Sequence, residues 1–136
     1  MAKVVIAEDD LMVANLLEEV LIAAGYEVCG TASTVAAAVE LCHRCQPDLA
    51  VIDVRLADGC GMDVAAQIGR RDKLGILYAT GNAGYVLLNA SDGEACITKP
   101  YPAPDLLRAL QIVTEIMTSG TASKPFPRHF NVLRPA

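Results

Sequence analysis

Long apolar runs are missing from the sequence. No apolar stretch approaches the roughly 20 residues that a membrane span requires, and the N-terminus runs from Lys3 into an acid at Glu8 rather than into a signal peptide. The sequence has five cysteines, an odd number, and it has no second C-x-x-C pair besides the one at residues 42–45. This favours reduced thiols over a disulfide framework or a four-ligand zinc site. These absences predict a cytoplasmic protein that does not enter membranes.

Positive charge is scarce over most of the chain. The 136 residues carry a net charge of −5. No acid follows Glu115, whereas Lys124, Arg128 and Arg134 are basic, so the first 115 residues alone carry −8. An acidic body argues against a nucleic-acid-binding face. The length suits one domain with a substantial core.

Five strand patterns alternate with helical patterns along the chain. We predict strands over residues 3–7, 26–31, 49–52, 74–79 and 95–98, and helices over about 11–24, 34–45, 61–70 and 104–117. Short connections in this order demand a parallel sheet with helices on both faces. Residues 83–94 are the least regular part. In the first helix, Asp10 is the predicted N-cap and Leu16 is predicted to face the core.

One buried strand ends in a carboxylate. The run from Leu49 to Ile52 shows no polar alternation, so it predicts a strand covered on both faces, and Asp53 follows it directly. A carboxylate in that position is poorly solvated and needs a metal, a base or a chemical role, unless it simply caps the next loop.

Other polar residues follow the predicted strands at the same end. Glu8 and Asp9 follow the first strand, Thr80 the fourth and Lys99 the fifth. Ligands of such sheets bind outside the carboxyl ends of the strands. Clustered carboxylates repel one another unless a cation lies among them, and their hard oxygens suit Mg²⁺. A lysine and a hydroxyl suit the charge of a transferring phosphoryl group, and the central Asp53 is the best candidate nucleophile.

Together these positions form an ordered set of short motifs: Glu8-Asp9, Asp53 with Gly61 eight residues later, Thr80-Gly81 and Lys99-Pro100. The set resembles the receiver domain of two-component response regulators over residues 3 to about 118. The resemblance implies an α/β, flavodoxin-like, doubly wound five-stranded parallel sheet of order 2-1-3-4-5. It divides the chain into a receiver domain, residues 1–118, and a basic tail containing proline and phenylalanine, residues 119–136, with no separate output domain.

The resemblance also implies a function. A sensor histidine kinase would donate a phosphoryl group to Asp53, and the chain would act as a stand-alone regulator through protein contacts or a phosphorelay. Its partners would then be that kinase and a phosphotransfer protein or downstream effector. The chain would not be an enzyme beyond its own phosphorylation and dephosphorylation.

Ligand roles follow from the same resemblance. Mg²⁺, or Mn²⁺ in its place, would be bound by Asp9, Asp53 and the backbone carbonyl of Arg55, with Glu8 reaching the metal through water. Lys99 and the Thr80 hydroxyl would contact the phosphoryl oxygens.

Three positions depart from the family pattern. Cys96 stands where a switch aromatic is expected, three residues before the lysine, so the usual coupling between threonine and aromatic is not expected. Ala57 replaces a proline that is common in the loop after the phosphoacceptor. Gly81 completes an Ala-Thr-Gly segment that resembles a subgroup of single-domain regulators. We further hypothesise that Arg55, with Asn82 opposite, tunes the lifetime of the phosphoryl group.

The C-terminal tail holds both phenylalanines, Phe126 and Phe130. A disordered end is the default for such a segment. However, Pro125-Phe126-Pro127 favours an extended conformation, and a basic tail complements an acidic body. We therefore predict that the tail docks on its own body or on a second protomer, which would give a homodimer.

Three alternative functions differ in what they require. A pseudo-receiver would bind partners without phosphorylation, and the complete acid set disfavours it. A small phosphohydrolase of the haloacid-dehalogenase type places a second aspartate two residues after its nucleophile, where this chain has Arg55. A flavin or nucleotide carrier needs a phosphate-binding loop after the first strand, where Glu8-Asp9-Asp10 would repel phosphate.

Overall fold

The computed structural model describes residues 2–69, 74–81 and 92–133. Four helices lie in these ranges: α1 Leu11–Ala23, α2 Val35–Cys45, α3 Gly61–Ile68 and α4 Ala103–Ser119. The strands are β1 Lys3–Ala7, β2 Glu27–Ala32, β3 Leu49–Asp53, β4 Arg55–Leu56, β5 Gly59–Cys60, β6 Gly75–Thr80, β7 Ala95–Thr98 and β8 Phe130–Val132. Within the same ranges, no helix has the length and apolar character needed to cross a membrane.

Six strands form one sheet in the order β2-β1-β3-β6-β7-β8, while β4 and β5 form a separate hairpin. The first five strands in this order, β2, β1, β3, β6 and β7, pair in parallel, and β8 pairs antiparallel with β7. Apart from the short hairpin, β6 and β7 are the fourth and fifth strands along the chain. The predicted flavodoxin-like order 2-1-3-4-5 is therefore confirmed, and β8 is an addition that the sequence pattern does not predict.

Two apolar clusters cover the two faces of the sheet. One joins strand residues such as Val5 and Ile52 to α2 and α3, and the other joins their neighbours Val4 and Val51 to α1 and α4. Successive strand residues enter opposite clusters because side chains alternate across a strand. Burial on both faces explains why the central strands read as continuous apolar runs.

Helix α1 begins where predicted but buries a narrower face than predicted. Asp10 caps it, since its Oδ1 accepts hydrogen bonds from the N–H groups of Met12 at 2.9 Å and Val13 at 3.3 Å. The predicted burial of Leu16 is wrong: 61% of this residue is exposed, while Leu17 faces the core. The apolar positions span a wider arc than the sheet covers, and Leu16 lies outside the covered part.

Some predicted boundaries shift by one or two residues. β2 and β6 each begin and end one residue later than predicted, and α3 ends at Ile68 because Gly69 leaves the helix with a φ of 69°. Most of the irregular stretch 83–94 lies outside the described residues. Of its described part, Glu94 is buried, and its Oε1 accepts a hydrogen bond from Ile76 N–H at 2.7 Å.

The C-terminal segment docks on its own chain and extends the main sheet. Phe130 lies opposite Ile97 in the β7–β8 ladder and is only 7% exposed. Hydrogen bonds continue the pairing at both ends, from Thr98 N–H to the His129 carbonyl at 3.0 Å and from Leu133 N–H to the Glu94 carbonyl at 2.9 Å. The tail beyond α4 thus adds a strand to the body.

A polar clamp on α4 holds the connection before β8. Arg108 donates from Nε to the Pro125 carbonyl at 3.0 Å and from Nη2 to the Ser123 carbonyl at 2.8 Å. Glu115 Oε1 accepts from Ser123 N–H at 3.0 Å and from its hydroxyl at 2.9 Å. The backbone hydrogen bond from Ser123 lowers the pKa of Glu115. The clamp therefore combines two oppositely charged side chains around one serine.

Phe130→Ala should destabilise the chain much more than Phe126→Ala. Phe130 is buried against the core, whereas its ring neighbour Phe126 is 42% exposed at a centroid distance of 5.7 Å. Removing a buried phenylalanine costs roughly 3 kcal/mol of unfolding free energy, and removing an exposed one typically less than about 1 kcal/mol. Urea unfolding of both variants measures the difference; equal losses would contradict docking of the tail.

Candidate functional site

The polar residues singled out from the sequence meet at the C-terminal edge of the sheet. Glu8 and Asp9 follow β1, Asp53 ends β3, Thr80 ends β6 and Lys99 follows β7. Parallel pairing brings these strand ends together on one edge. Three of them are largely buried, with exposed fractions of 4% for Glu8 and 8% for both Asp53 and Thr80.

Lys99 bridges two buried carboxylates. Its Nζ lies 2.7 Å from Glu8 Oε1 and 2.8 Å from Asp53 Oδ2. Burial by itself would lower the pKa of Lys99, but hydrogen bonds to Asp53 and Glu8 raise it above its ordinary value. The ammonium therefore stays charged and holds both acids in place.

Backbone amides orient the remaining carboxylate oxygens. Asp10 N–H donates to Glu8 Oε2 at 3.1 Å, and Arg55 N–H donates to Asp53 Oδ1 at the same distance. Burial raises the pKa of Glu8, the hydrogen bonds from Lys99 and Asp10 oppose that rise, and the nearby Asp53 carboxylate adds to it. Burial and the neighbouring charges thus act together on the Glu8 carboxyl group.

The acids form a donor set that fits a hard divalent cation. Glu8, Asp9 and Asp53 each offer an oxygen, and these oxygens all lie within 4.8 Å of one another. Asp9 is exposed while the other two are buried, so the cluster opens to solvent on one side. Lys99 pairs with two of the three acids, which leaves the cluster with an excess of negative charge. Sets of oxygen ligands of this kind suit Mg²⁺.

Thr80 borders the site through its backbone. Its carbonyl accepts a hydrogen bond from Lys99 N–H at 2.7 Å, and Thr80 pairs with Thr98 in the β6–β7 register. This contact ties the end of β6 to the residue that carries the bridging ammonium.

The loop after Asp53 is held close to the strand end. Gly61 N–H donates to the Val54 carbonyl at 2.7 Å, and a Cβ at Gly61 would overlap the Asp53 carbonyl oxygen. Ala57 N–H donates to the Ser33 carbonyl at 3.1 Å, a hydrogen bond that a proline could not make. The departure from the family pattern at Ala57 therefore has a structural reason.

Gly61→Ala should cost roughly 2 kcal/mol of unfolding free energy, as overpacking against backbone atoms does. Gly59→Ala is the matched control, because a Cβ there would meet its nearest neighbour, Asp63, at an ordinary 3.4 Å. Its effect should stay within about 0.5 kcal/mol. Thermal or urea unfolding of both variants provides the measurement, and equal stabilities would contradict the close approach at Gly61.

Three residues are predicted to modulate the site, and the structure describes the position of two of them. Arg55 is exposed on β4, two residues after Asp53. Cys96 lies on β7 away from the strand end, opposite Tyr78 on one side and Asn131 on the other. Asn82 lies outside the described residues.

The sequence patterns miss one neighbour of the site, Tyr101. It lies two residues after Lys99, and burial raises its pKa to about 12. With Leu16 and Leu17 of α1, it lines a groove of about 300 Å³ that also touches Lys99. An aromatic residue so close to a motif lysine in a chain with 4% aromatics was the available signal.

Comparisons with known proteins identify the family of this chain. The response regulator receiver domain model matches residues 4–111. The transcriptional regulatory protein PdtaR of Mycobacterium tuberculosis is 32% identical over 123 residues, which cover 88% of this chain and 60% of that regulator. The chain thus spans about three fifths of the length of that relative.

Two further relatives are matched over nearly their whole length. The chemotaxis protein CheY of Thermotoga maritima is 27% identical over 83% of this chain and 98% of its own. A crystal structure of a CheY-like response regulator receiver domain protein from Methanospirillum hungatei superposes with a TM-score of 0.78 at 22% identity, covering 89% of this chain and 99% of that one. The chain belongs to the response regulator receiver domain family of two-component signalling.

Proposed function

We propose that this chain is a phosphoacceptor, taking a phosphoryl group from a sensor histidine kinase onto Asp53. One observation carries the proposal: the Asp53 carboxylate is hydrogen-bonded to Lys99 at 2.8 Å, within a cluster of acidic oxygens that lie no more than 4.8 Å apart. A nucleophile, a fixed cation and a cation-binding donor set are the parts that phosphoryl transfer requires.

In the transfer, an Asp53 oxygen forms a bond to phosphorus as the bond from phosphorus to the histidine nitrogen breaks. The electron pair of the broken bond stays on that nitrogen, and a proton already on the other ring nitrogen makes the departing imidazole neutral. Arg55 N–H fixes Oδ1 of Asp53 and Lys99 fixes Oδ2, so the carboxylate is oriented before the donor arrives. Lys99 is then close enough to meet a phosphoryl oxygen on Asp53, with Thr80 at the neighbouring strand end.

Mg²⁺ is the proposed cofactor, with Mn²⁺ able to replace it. Glu8, Asp9 and Asp53 would hold it, and the Arg55 backbone carbonyl remains a predicted fourth ligand. When bound, the ion offsets the negative charge of the transferring phosphoryl group.

The decisive test is intact mass spectrometry after incubation with a small phosphodonor. With Mg²⁺ present, the chain should gain roughly 80 Da, the mass of one phosphoryl group in place of a proton. With EDTA in place of Mg²⁺ the gain should disappear, because the charge of the acid cluster is then not offset. A chain that stays unmodified with Mg²⁺ would instead be a pseudo-receiver that signals by binding alone.

Arg55→Ala should shorten the lifetime of the phosphoryl group. The Arg55 backbone contacts Asp53 and its side chain is exposed at the rim, where it can contact the phosphate or obstruct attacking water. We expect autodephosphorylation to speed up about threefold, the scale of losing one exposed charge contact. Arg44→Ala, which removes an exposed arginine on α2, is the control. Identical rates in wild type and Arg55→Ala would dispose of this role. Asn82, its proposed counterpart, lies outside the described residues.

The wider role follows from the same proposal. The receiver, residues 1–118, would pass its state to a phosphotransfer protein or an effector by contact, with no nucleic acid or membrane involved, in the cytoplasm. Its chemistry would be limited to its own phosphorylation and dephosphorylation. A homodimer through the tail remains a prediction that the molar mass in solution tests.

A further inference from the structure

Strand β7 joins the site to the C-terminal segment. It has four residues; Lys99 follows it directly, and β8 pairs along its outer edge. Two consecutive N–H groups donate hydrogen bonds to opposite sides of the strand. Thr98 N–H donates to the His129 carbonyl on the tail side, and Lys99 N–H donates to the Thr80 carbonyl at the end of β6. A change at the bridging lysine therefore lies one residue from the hydrogen bond that begins the tail pairing.

Cys96 stands where receivers are expected to carry a switch aromatic, and it contacts the tail. Cys96 lies opposite Asn131 in the β7–β8 register. Burial raises the pKa of the Cys96 thiol, and Asn131 opposes that rise. In this chain, position 96 thus lies between Tyr78 of β6 and Asn131 of the C-terminal segment.

The hold on the tail is limited. β8 has three residues, and Phe130 is its buried anchor. His129, just before it, has a φ of 56°, a left-handed conformation that is unfavourable for a residue with a Cβ. The clamp between Arg108, Glu115 and Ser123 consists of exposed hydrogen bonds. Because only β8 and the clamp hold it, the tail can open at a free-energy cost below that of unfolding the whole chain.

Beneath the tail lies an edge suited to another extended segment. Without β8, the outer edge of β7 would present unpaired N–H and C=O groups, and the apolar cluster with α4 would lose Phe130. Such an edge accepts strands by main-chain pairing, with a side-chain pocket that adds specificity.

We propose that the β7 edge is the surface through which this chain engages a partner, and that residues 121–133 cover it in the resting state. The partner would supply an extended segment that pairs antiparallel with β7 and places an apolar side chain where Phe130 lies. Phosphorylation of Asp53, on which this coupling rests, draws Lys99 from the carboxylates to the phosphoryl oxygens. The end of β7 then shifts and the tail is released.

The test uses the full ¹⁵N-labelled chain and a synthetic peptide of residues 121–136 as the partner probe, with binding followed by NMR at the β7 amides. The peptide should bind Phe130→Ala at least about tenfold more tightly than wild type, because the tethered tail of wild type competes at high effective concentration. The same peptide with Phe130→Ala should not bind. Arg108→Ala, which loosens the clamp without touching the core, should fall between, and Arg44→Ala should match wild type.

Phosphodonor and Mg²⁺ form the second arm of the test. They should raise the affinity of wild type for the peptide toward that of Phe130→Ala and leave Asp53→Asn unchanged. Absence of peptide binding to both Phe130→Ala and Arg108→Ala overturns the edge as a partner surface. An Asp53 adduct with unaltered peptide affinity overturns the coupling alone. Failure to form any adduct refutes the proposed function, and the variant comparison still decides on the edge.

Discussion

Asp53→Asn is expected to abolish phosphorylation completely. The amide keeps the size of the side chain and an oxygen that can accept from Arg55 N–H, but it loses the charge that pairs with Lys99 and makes the oxygen nucleophilic. Incubated with Mg²⁺ and a small phosphodonor, wild type should gain roughly 80 Da per chain and the variant nothing.

Asp48, which precedes the strand that Asp53 ends, provides the control for Asp53→Asn. Asp48 precedes β3 at the opposite end, is exposed, and accepts a hydrogen bond from Lys3 N–H at 2.9 Å. Asp48→Asn removes the same charge from the chain but leaves the cluster intact, so its adduct should equal that of wild type. An adduct that survives Asp53→Asn would move the phosphoacceptor elsewhere and refute the central proposal.

Lys99→Met is expected to have the largest effect on stability among the site variants. Methionine has a similar unbranched shape but leaves Glu8 and Asp53 without their shared cation. Breaking a buried ion pair by removing one partner costs roughly 3 kcal/mol, and the cost should be highest in EDTA, when no other cation offsets the acids. Urea unfolding with and without Mg²⁺ measures both parts of this expectation.

The same variant should also slow phosphorylation by roughly 100-fold, the scale of losing one fixed charge near a transferring group. Lys3→Met is the matched control, because Lys3 is an exposed lysine at the start of β1, at the other end of the strand from Glu8. Lys3→Met should match wild type in both assays. A Lys99→Met chain as stable as wild type in EDTA would show that Lys99 does not hold the acids together.

Much of this architecture could be predicted because buried parallel strands leave a strong sequence signal. The run before Asp53 is apolar on both faces, and β3 is fully buried as that pattern requires. The placement of Glu8, Asp9, Thr80 and Lys99 after their strands then locates them at one edge, since parallel strands end on the same side. The pattern therefore predicts a parallel sheet and the residues at its edge, whereas the strand order 2-1-3-4-5 comes from the resemblance to receiver domains.

Other features depend on contacts between distant parts of the chain. Leu16 follows the helical apolar spacing yet is exposed, because the width of the buried face of α1 depends on how the helix lies on the sheet. Phe130 stands in a basic, proline-containing tail without strand periodicity, and its burial depends on the free edge of β7.

The position of Asp53 could be predicted from the sequence, whereas strand β8 could not. The sequence by itself determined the doubly wound sheet and the cluster around Asp53, because local periodicity and the position of polar residues after strands are encoded residue by residue. Only the tertiary structure decided that Lys99 bridges Glu8 and Asp53, that Ala57 and Gly61 hold the loop, and that β8 closes the β7 edge. Each of these contacts joins side chains or backbone groups across folded distances, and pairing of this kind depends on packing geometry that no local pattern contains.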